Sequence, residues 1–166
     1  MGFLDKIKKK LEQEVTKIEG AGGTADRPGQ ELTERARQLY RSMRLSADQM
    51  CQQYCLSGDR QLLDNVFSPE LAERVMRYLD NLRARGLAWS YPPAGREDLS
   101  VDLIRSVGEG VVEFREVSHD HSQIVEAANT ANVLAQASGE QRTYRVLLKV
   151  SPDGELLIHR IEAVLN

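Results

Sequence analysis

The chain has 166 residues, a length that suits one domain with a short extension and that buries enough apolar surface to fold without disulfides or metal. An apolar fraction of 41%, a charged fraction of 28% and a formal net charge of −3 mark a soluble globular protein. They exclude a general attraction to nucleic acid, whose readers present a basic face with interleaved aromatics.

No apolar run approaches the roughly 20 residues that a membrane-crossing helix needs. The start sets lysines among its apolar residues and so is not a secretory leader; a cytoplasmic protein is expected. Residues 1–19 read as an amphipathic helix in which Phe3, Leu4, Ile7, Leu11, Val15 and Ile18 recur at helical spacing within one arc. Lys6, Lys8, Lys9 and Lys10 make its tip basic. Such a helix docks on an anionic membrane surface, on a protein partner or second copy of the chain, or on its own domain, and this stripe suits lipid and protein equally. A lipid attachment would be peripheral, at the inner face of the membrane. Gly2 does not open a myristoylation signal, because Lys6 stands where Ser or Thr is needed. Residues 20–30, GAGGTADRPGQ, have the composition of a flexible linker; their glycines cradle no phosphate, since no strand precedes them and no GK[ST] follows.

Residues 31–166 are expected to form one domain. Leu32, Ala36, Leu39, Tyr40 and Met43 share a helix face, and Arg35, Arg37, Arg41 and Arg44, with Glu31 and Glu34 nearby, read as a solvated one. Ser46 and Gln49 have capping-box spacing, so a fresh helical start is expected there, with Met50, Cys51, Tyr54 and Cys55 as its apolar side. The two cysteines read as buried free thiols rather than a redox pair or half a zinc site. Gly58 ends that helix, and Asp59 caps a short one carrying Leu62, Leu63, Val66 and Phe67. Ser68-Pro69-Glu70 then supplies an N-cap, a proline in the first turn and an acid at the positive end of the dipole. Leu71, Val75, Leu79 and Leu82 carry the stripe of this helix, which runs to about Arg85 before Gly86 closes it.

Beyond Gly86 the period changes. Pro92 and Pro93 fix an extended segment, and alternation follows over residues 111–117, 124–134, 144–150 and 156–165, which predicts four antiparallel strands. Ser151-Pro152-Asp153-Gly154 is a turn with a mechanism, so the last two strands form a hairpin. Residues 118–122 and 138–140 supply the other turns. Helices first and strands afterwards give an α+β class, with N-terminal helices packed on a curved antiparallel sheet of about four strands.

The succession Gly58-Asp59, Leu62-Leu63, Ser68-Pro69-Glu70-Leu71, Leu79 and Gly86, followed by those strands, resembles the cystatin-like, nuclear-transport-factor-two-like superfamily. Within it the chain is most similar to the C-terminal domain of the mitochondrial inner-membrane import tether family and its bacterial relatives. The resemblance implies a cone with a pocket at its open end. Some members place an Asp/His pair there for catalysis and others leave it apolar for binding; the import-tether branch is of the second kind and is often attached to membranes or their machinery. Trp89 and Tyr91, where helix hands over to sheet, with Phe114 and Tyr144 on the strands, are the expected pocket residues.

His119-Asp120-His121 is the one cluster of ligand-capable side chains. On a strand the two histidines would share a face, but a pair is short of the three or four ligands of a metal site, even with His159 in reach, so the expected reading is a polar turn with no metal and no cofactor. The enzyme alternative makes His119, His121 or His159 a general base, with Asp102 or Glu113 as partner, in a small pocket hydrolase or isomerase acting on an apolar substrate. The function expected is a non-enzymatic binding or scaffold domain. Its partners would be a protein, a second copy or an anionic membrane surface, and not nucleic acid.

Overall fold

A computed structural model describes residues 28–108 and 110–164 of the chain. The amphipathic segment with its docking residues, and most of the glycine-rich linker, lie outside the described residues. The elements are α1 (Pro28–Ser57), α2 (Arg60–Asp64), α3 (Pro69–Ala84), β1 (Leu87–Ser90), a 3-10 turn (Pro93–Arg96), β2 (Ser100–Gly108), β3 (Val111–His119), β4 (Gln123–Glu126), β5 (Asn129–Gln136), β6 (Gln141–Val150) and β7 (Leu156–Ala163).

Helix α1 is continuous for 30 residues, so Ser46 lies in its interior and starts nothing. Nothing in Leu45-Ser46-Ala47-Asp48 breaks a helix, and Ala47 and Asp48 are both buried, so packing overrides the capping-box signal. The helix also begins three residues inside the segment read as linker, with Pro28 at its first position, where a missing N–H costs nothing. Gly58 then adopts φ +73°, the left-handed value that stops a helix. The Asp59 side chain accepts from Gln61 N, as its cap role requires. Ser68 has N-cap backbone angles but makes no side-chain cap bond; its hydroxyl instead shares a 3.0 Å hydrogen bond with His159 Nδ1.

The strands make an antiparallel four-stranded sheet in the order β2-β3-β6-β7 and a three-stranded sheet in the order β1-β4-β5. The helices pack against this α+β arrangement, which is the expected class. Two details differ from the sequence pattern. Residues 124–134 are not one strand: they fold back at Ala127 and Ala128 into the β4–β5 hairpin, which pairs Val125 with Val133. Ser100–Gly108, where alternation is weaker, is an edge strand of the larger sheet. It carries extra residues at Asp102 and Val107, and such bulges bend a strand and blur its period. A further bulge at His159 bends β7, while Gly154, at φ +84°, closes the β6–β7 turn.

On β3 the inward positions are Val112, Phe114, Glu116 and Ser118, all buried. Val146 and Leu148 of β6 and Ile158 of β7 continue the apolar part of that face. Leu63, Leu71, Leu79 and Leu82 from α2 and α3 join the same core. Tyr40 of α1 stacks on Phe114 with ring centroids 4.8 Å apart, and both rings are fully buried. The outer face is ionic: Glu113 is gripped by Arg105 and Arg145, and Arg145 and Arg160 both reach Glu162.

Phe114 is therefore a core residue. Phe114→Ala is expected to lower the unfolding free energy by about 3–5 kcal/mol, read as a lower urea midpoint at unchanged slope. A midpoint close to that of the unaltered protein would place the ring outside the core.

Candidate functional site

The site begins with a polar stripe on α1. Residues 37, 41, 44 and 48 are spaced four, three and four apart, so they lie along one face, and that face turns to the sheet. Arg37 Nε donates to Val101 O and Arg41 Nη2 to Leu99 O, both at 3.0 Å. Arg44 Nε donates to Glu116 Oε1 at 2.7 Å. The expectation of a solvated arginine face is corrected for these three. The chain leading into β2 presents carbonyls to α1, and β3 presents a carboxylate, so the guanidinium groups bond to the sheet, although Arg37 stays partly exposed and also pairs with Glu34.

Glu116 is fully buried and saturated. Besides Arg44 it accepts from Tyr40 Oη at 2.7 Å and from Ser118 Oγ at 3.0 Å, and Arg96 Nη1 lies 4.0 Å away. Arg96 reaches in from the 3-10 turn and binds both oxygens of Asp48, at 2.7 and 2.8 Å. Its guanidinium also lies over the Tyr91 ring, 3.7 Å from the centroid. Two buried arginines thus balance two buried carboxylates. Burial alone would raise the Glu116 carboxyl, but Arg44 and the bond from Tyr40 outweigh it and hold the group below the ordinary glutamate range.

Above this network lies a cavity of about 260 Å³ lined from both sheets. Trp89, Tyr91 and Tyr144 form its aromatic wall, Arg44 and Arg96 its cationic floor, and Ser118, His119, Asp120 and Ser122 its polar rim. Three of the expected pocket residues are brought together there; Phe114 is not, because it lies beneath in the core. Tyr91 ties the rim to the 3-10 turn by donating to His119 O at 2.8 Å. Gly95 packs so closely under it that a Cβ would lie 2.9 Å from Tyr91 Cε1 and 2.8 Å from His121 Cβ.

His119 ends β3, and Asp120 and His121 form the turn that follows. Asp120 accepts from Ser122 N and Ser122 Oγ, closing that turn. Both histidines converge on Asp98: His121 Nε2 donates to Asp98 Oδ2 at 2.9 Å, and His119 Nδ1 lies 3.0 Å from the same oxygen, off the hydrogen-bond direction. The carboxylate partner is therefore Asp98. Asp102 is taken by Arg115, and Glu113 by Arg105 and Arg145, on the outer side of the sheet. His159 stands apart, in a groove of about 680 Å³ between the start of α3 and the β6–β7 turn. That groove is the larger of the two and as open, but charged side chains of both signs, among them Arg60, Lys149, Asp153 and Glu155, line it, whereas three aromatic rings and two buried guanidinium groups meet in the smaller cavity, which is therefore the candidate site. Among the described residues no group of three or more His, Cys, Asp or Glu side chains is placed to hold a metal ion.

Cys51 and Cys55 are buried free thiols, and burial pushes the Cys51 thiol up to about 12. The native thiols are expected to react with Ellman's reagent no faster than the chain unfolds; an immediate stoichiometric reaction would contradict this burial. A second expectation concerns acid. The Glu116 carboxyl is lower in the folded chain than its ordinary 4.5, so the unfolded state binds more protons as the pH drops. Stability should be full above about pH 4.5 and fall as the pH passes down through the folded value, to which the lowered Glu113, Asp98 and Asp120 add. Urea midpoints from pH 7 to pH 3 measure this, and a flat profile would contradict it.

No protein-family model matches the chain, and no curated protein matches it in sequence. Solved structures are similar to it to differing degrees. The intermembrane space region of the chloroplast protein ARC6 superposes with a TM-score of 0.59 at 13% identity, covering 78% of this chain and 97% of that one. A structure from Catenulispora acidiphila gives 0.42 at 14% identity over 79% and 94% of the two chains. An NTF2-like protein involved in plasmid conjugation gives 0.31 at 8% identity over 75% and 50%. At these identities what the first likeness establishes is the fold, helices on a curved antiparallel sheet.

Proposed function

We propose that the chain is a non-enzymatic binding or scaffold domain of the import-tether kind, whose cavity receives a small ligand or a side chain of a partner. The observation that carries this is the preformed cavity: its aromatic wall is built and its floor is fixed by bidentate and buried hydrogen bonds before anything binds. Its volume of about 260 Å³ has room for one large side chain or a small metabolite. The amphipathic segment at residues 1–19 then docks the domain on a membrane surface, a protein partner or a second subunit, in the cytoplasm. No helix among the described residues is long and apolar enough to cross a membrane. The likeness to a region of a chloroplast protein that faces an intermembrane space supports this reading through the fold alone.

One observation favours the enzyme reading as the second choice. His119 lines the cavity beside Asp98 and Asp120, an arrangement that suits a general base.

A fragment screen by amide NMR tests the cavity reading: shifts should concentrate at Trp89, Ser118, Asp120, Ser122 and Tyr144, and hits confined to other surfaces would contradict it. Turnover of p-nitrophenyl acetate that disappears in His119→Gln would replace the binding reading with the enzymatic one. For docking, vesicles of phosphatidylglycerol should co-sediment the full chain and release a chain lacking residues 2–19. Equal sedimentation of both forms removes the lipid clause.

A further inference from the structure

The two buried ion pairs are not symmetric toward the cavity. Arg44 and Arg96 line it, while their carboxylate partners Glu116 and Asp48 lie behind them and do not. Each pair is thus a dipole with its positive end facing the cavity, and the pairs themselves are buried, where such fields are less screened than in water.

The hydrogen-bonding capacity left over at the floor and aromatic wall is mainly that of donors. Both oxygens of Glu116 and both of Asp48 are occupied. Arg44 has a side chain only 10% exposed, and it spends Nε on Glu116 while Nη1 and Nη2 have no acceptor among the described residues. Arg96 Nη1 likewise makes no hydrogen bond, lying 4.0 Å from Glu116. The Trp89 indole N–H and the Tyr144 hydroxyl, also in the lining, have no partner among the described residues. Donors converge from four side chains, and the one carboxylate in the lining, Asp120, gives one oxygen to Ser122 and turns the other toward Arg142 at 3.9 Å.

We propose that the cavity takes a carboxylate carried on a small flat apolar body, with Arg44, Arg96 and Tyr144 holding the oxygens and the aromatic wall covering the body. A guanidinium fork matches the planar carboxylate in geometry as well as charge. The other charged or titratable groups facing the ligand are His119 and Asp120 on the rim. This assignment rests on the reading of the cavity as a binding site.

Trp89 is the single tryptophan of the chain, so its indole N–H resonance reports on the cavity without ambiguity. The full chain is titrated with phenylacetate, phenylacetamide and inorganic phosphate. Phenylacetate should shift that resonance saturably, at least about tenfold more tightly than the amide, since hydrogen bonds to a charged group are the stronger ones. Tyr144→Phe removes a hydroxyl that no described residue uses. It should weaken phenylacetate by about tenfold and leave the melting temperature unchanged. Equal binding of phenylacetamide or of phosphate, or unaltered phenylacetate affinity in Y144F, overturns the carboxylate assignment while leaving the cavity a binding site. No shift with any probe overturns the cavity reading itself.

Discussion

A carboxylate with no access to water is the constraint around which this molecule is arranged. Glu116 sits on the inward face of β3, on the strand that carries Val112 and Phe114 into the core, and an isolated charge there would cost several kcal/mol. Three hydrogen bonds and two arginines offset that cost. They come from different places: Tyr40 and Arg44 from one helix, Ser118 from the same strand, Arg96 from the turn after β1. Satisfying one charge therefore fixes the position of α1 along β3 and pulls the 3-10 turn over the end of the sheet.

The positioning has a consequence for chemistry. Because Arg96 must reach Asp48, the turn that carries it is folded against Tyr91, and Tyr91 in turn holds the backbone at His119. The cavity wall, its rim and its floor are thus parts of one hydrogen-bonded unit. Buried ion pairs often contribute little to net stability against a well-packed apolar alternative. What they contribute here is chiefly the placement of the groups around the cavity.

Much of the framework was legible in the sequence because it rests on local signals. Gly58, Asp59, Pro69 and Gly86 mark helix ends by their own backbone preferences, and the leucines of α3 mark its buried side by spacing. The class and the final hairpin follow from the same kind of signal. What failed did so where tertiary contacts override local ones. Ser46 carries a start signal that a continuous buried helix ignores, and residues 124–134 alternate well enough to hide a reversal at two alanines. The polar network was missed for a subtler reason. Arginines at 37, 41 and 44 look like solvent-facing residues until they are matched with Glu116 and Ser118, which occupy the inward parity of β3 alongside Val112 and Phe114. Helix spacing and strand parity together contained the hint; neither did alone. The expected pocket set of Trp89, Tyr91, Phe114 and Tyr144 includes one core residue, Phe114, because strand pattern alone does not tell a pocket wall from the core beneath it, and Arg96 and Asp98 depend on a turn whose path no pattern specifies.

The central claim is that Arg44 and Glu116 act as one unit joining helix to sheet, and a double-mutant cycle measures that directly. Urea unfolding would be followed at pH 7 for Arg44→Met, Glu116→Leu and the two combined. The account predicts that each single change costs about 3–5 kcal/mol, because it strands the other charge in the interior. The combined change should cost far less than the two together. Additivity within about 0.5 kcal/mol would show the two residues to be independent and would contradict the account.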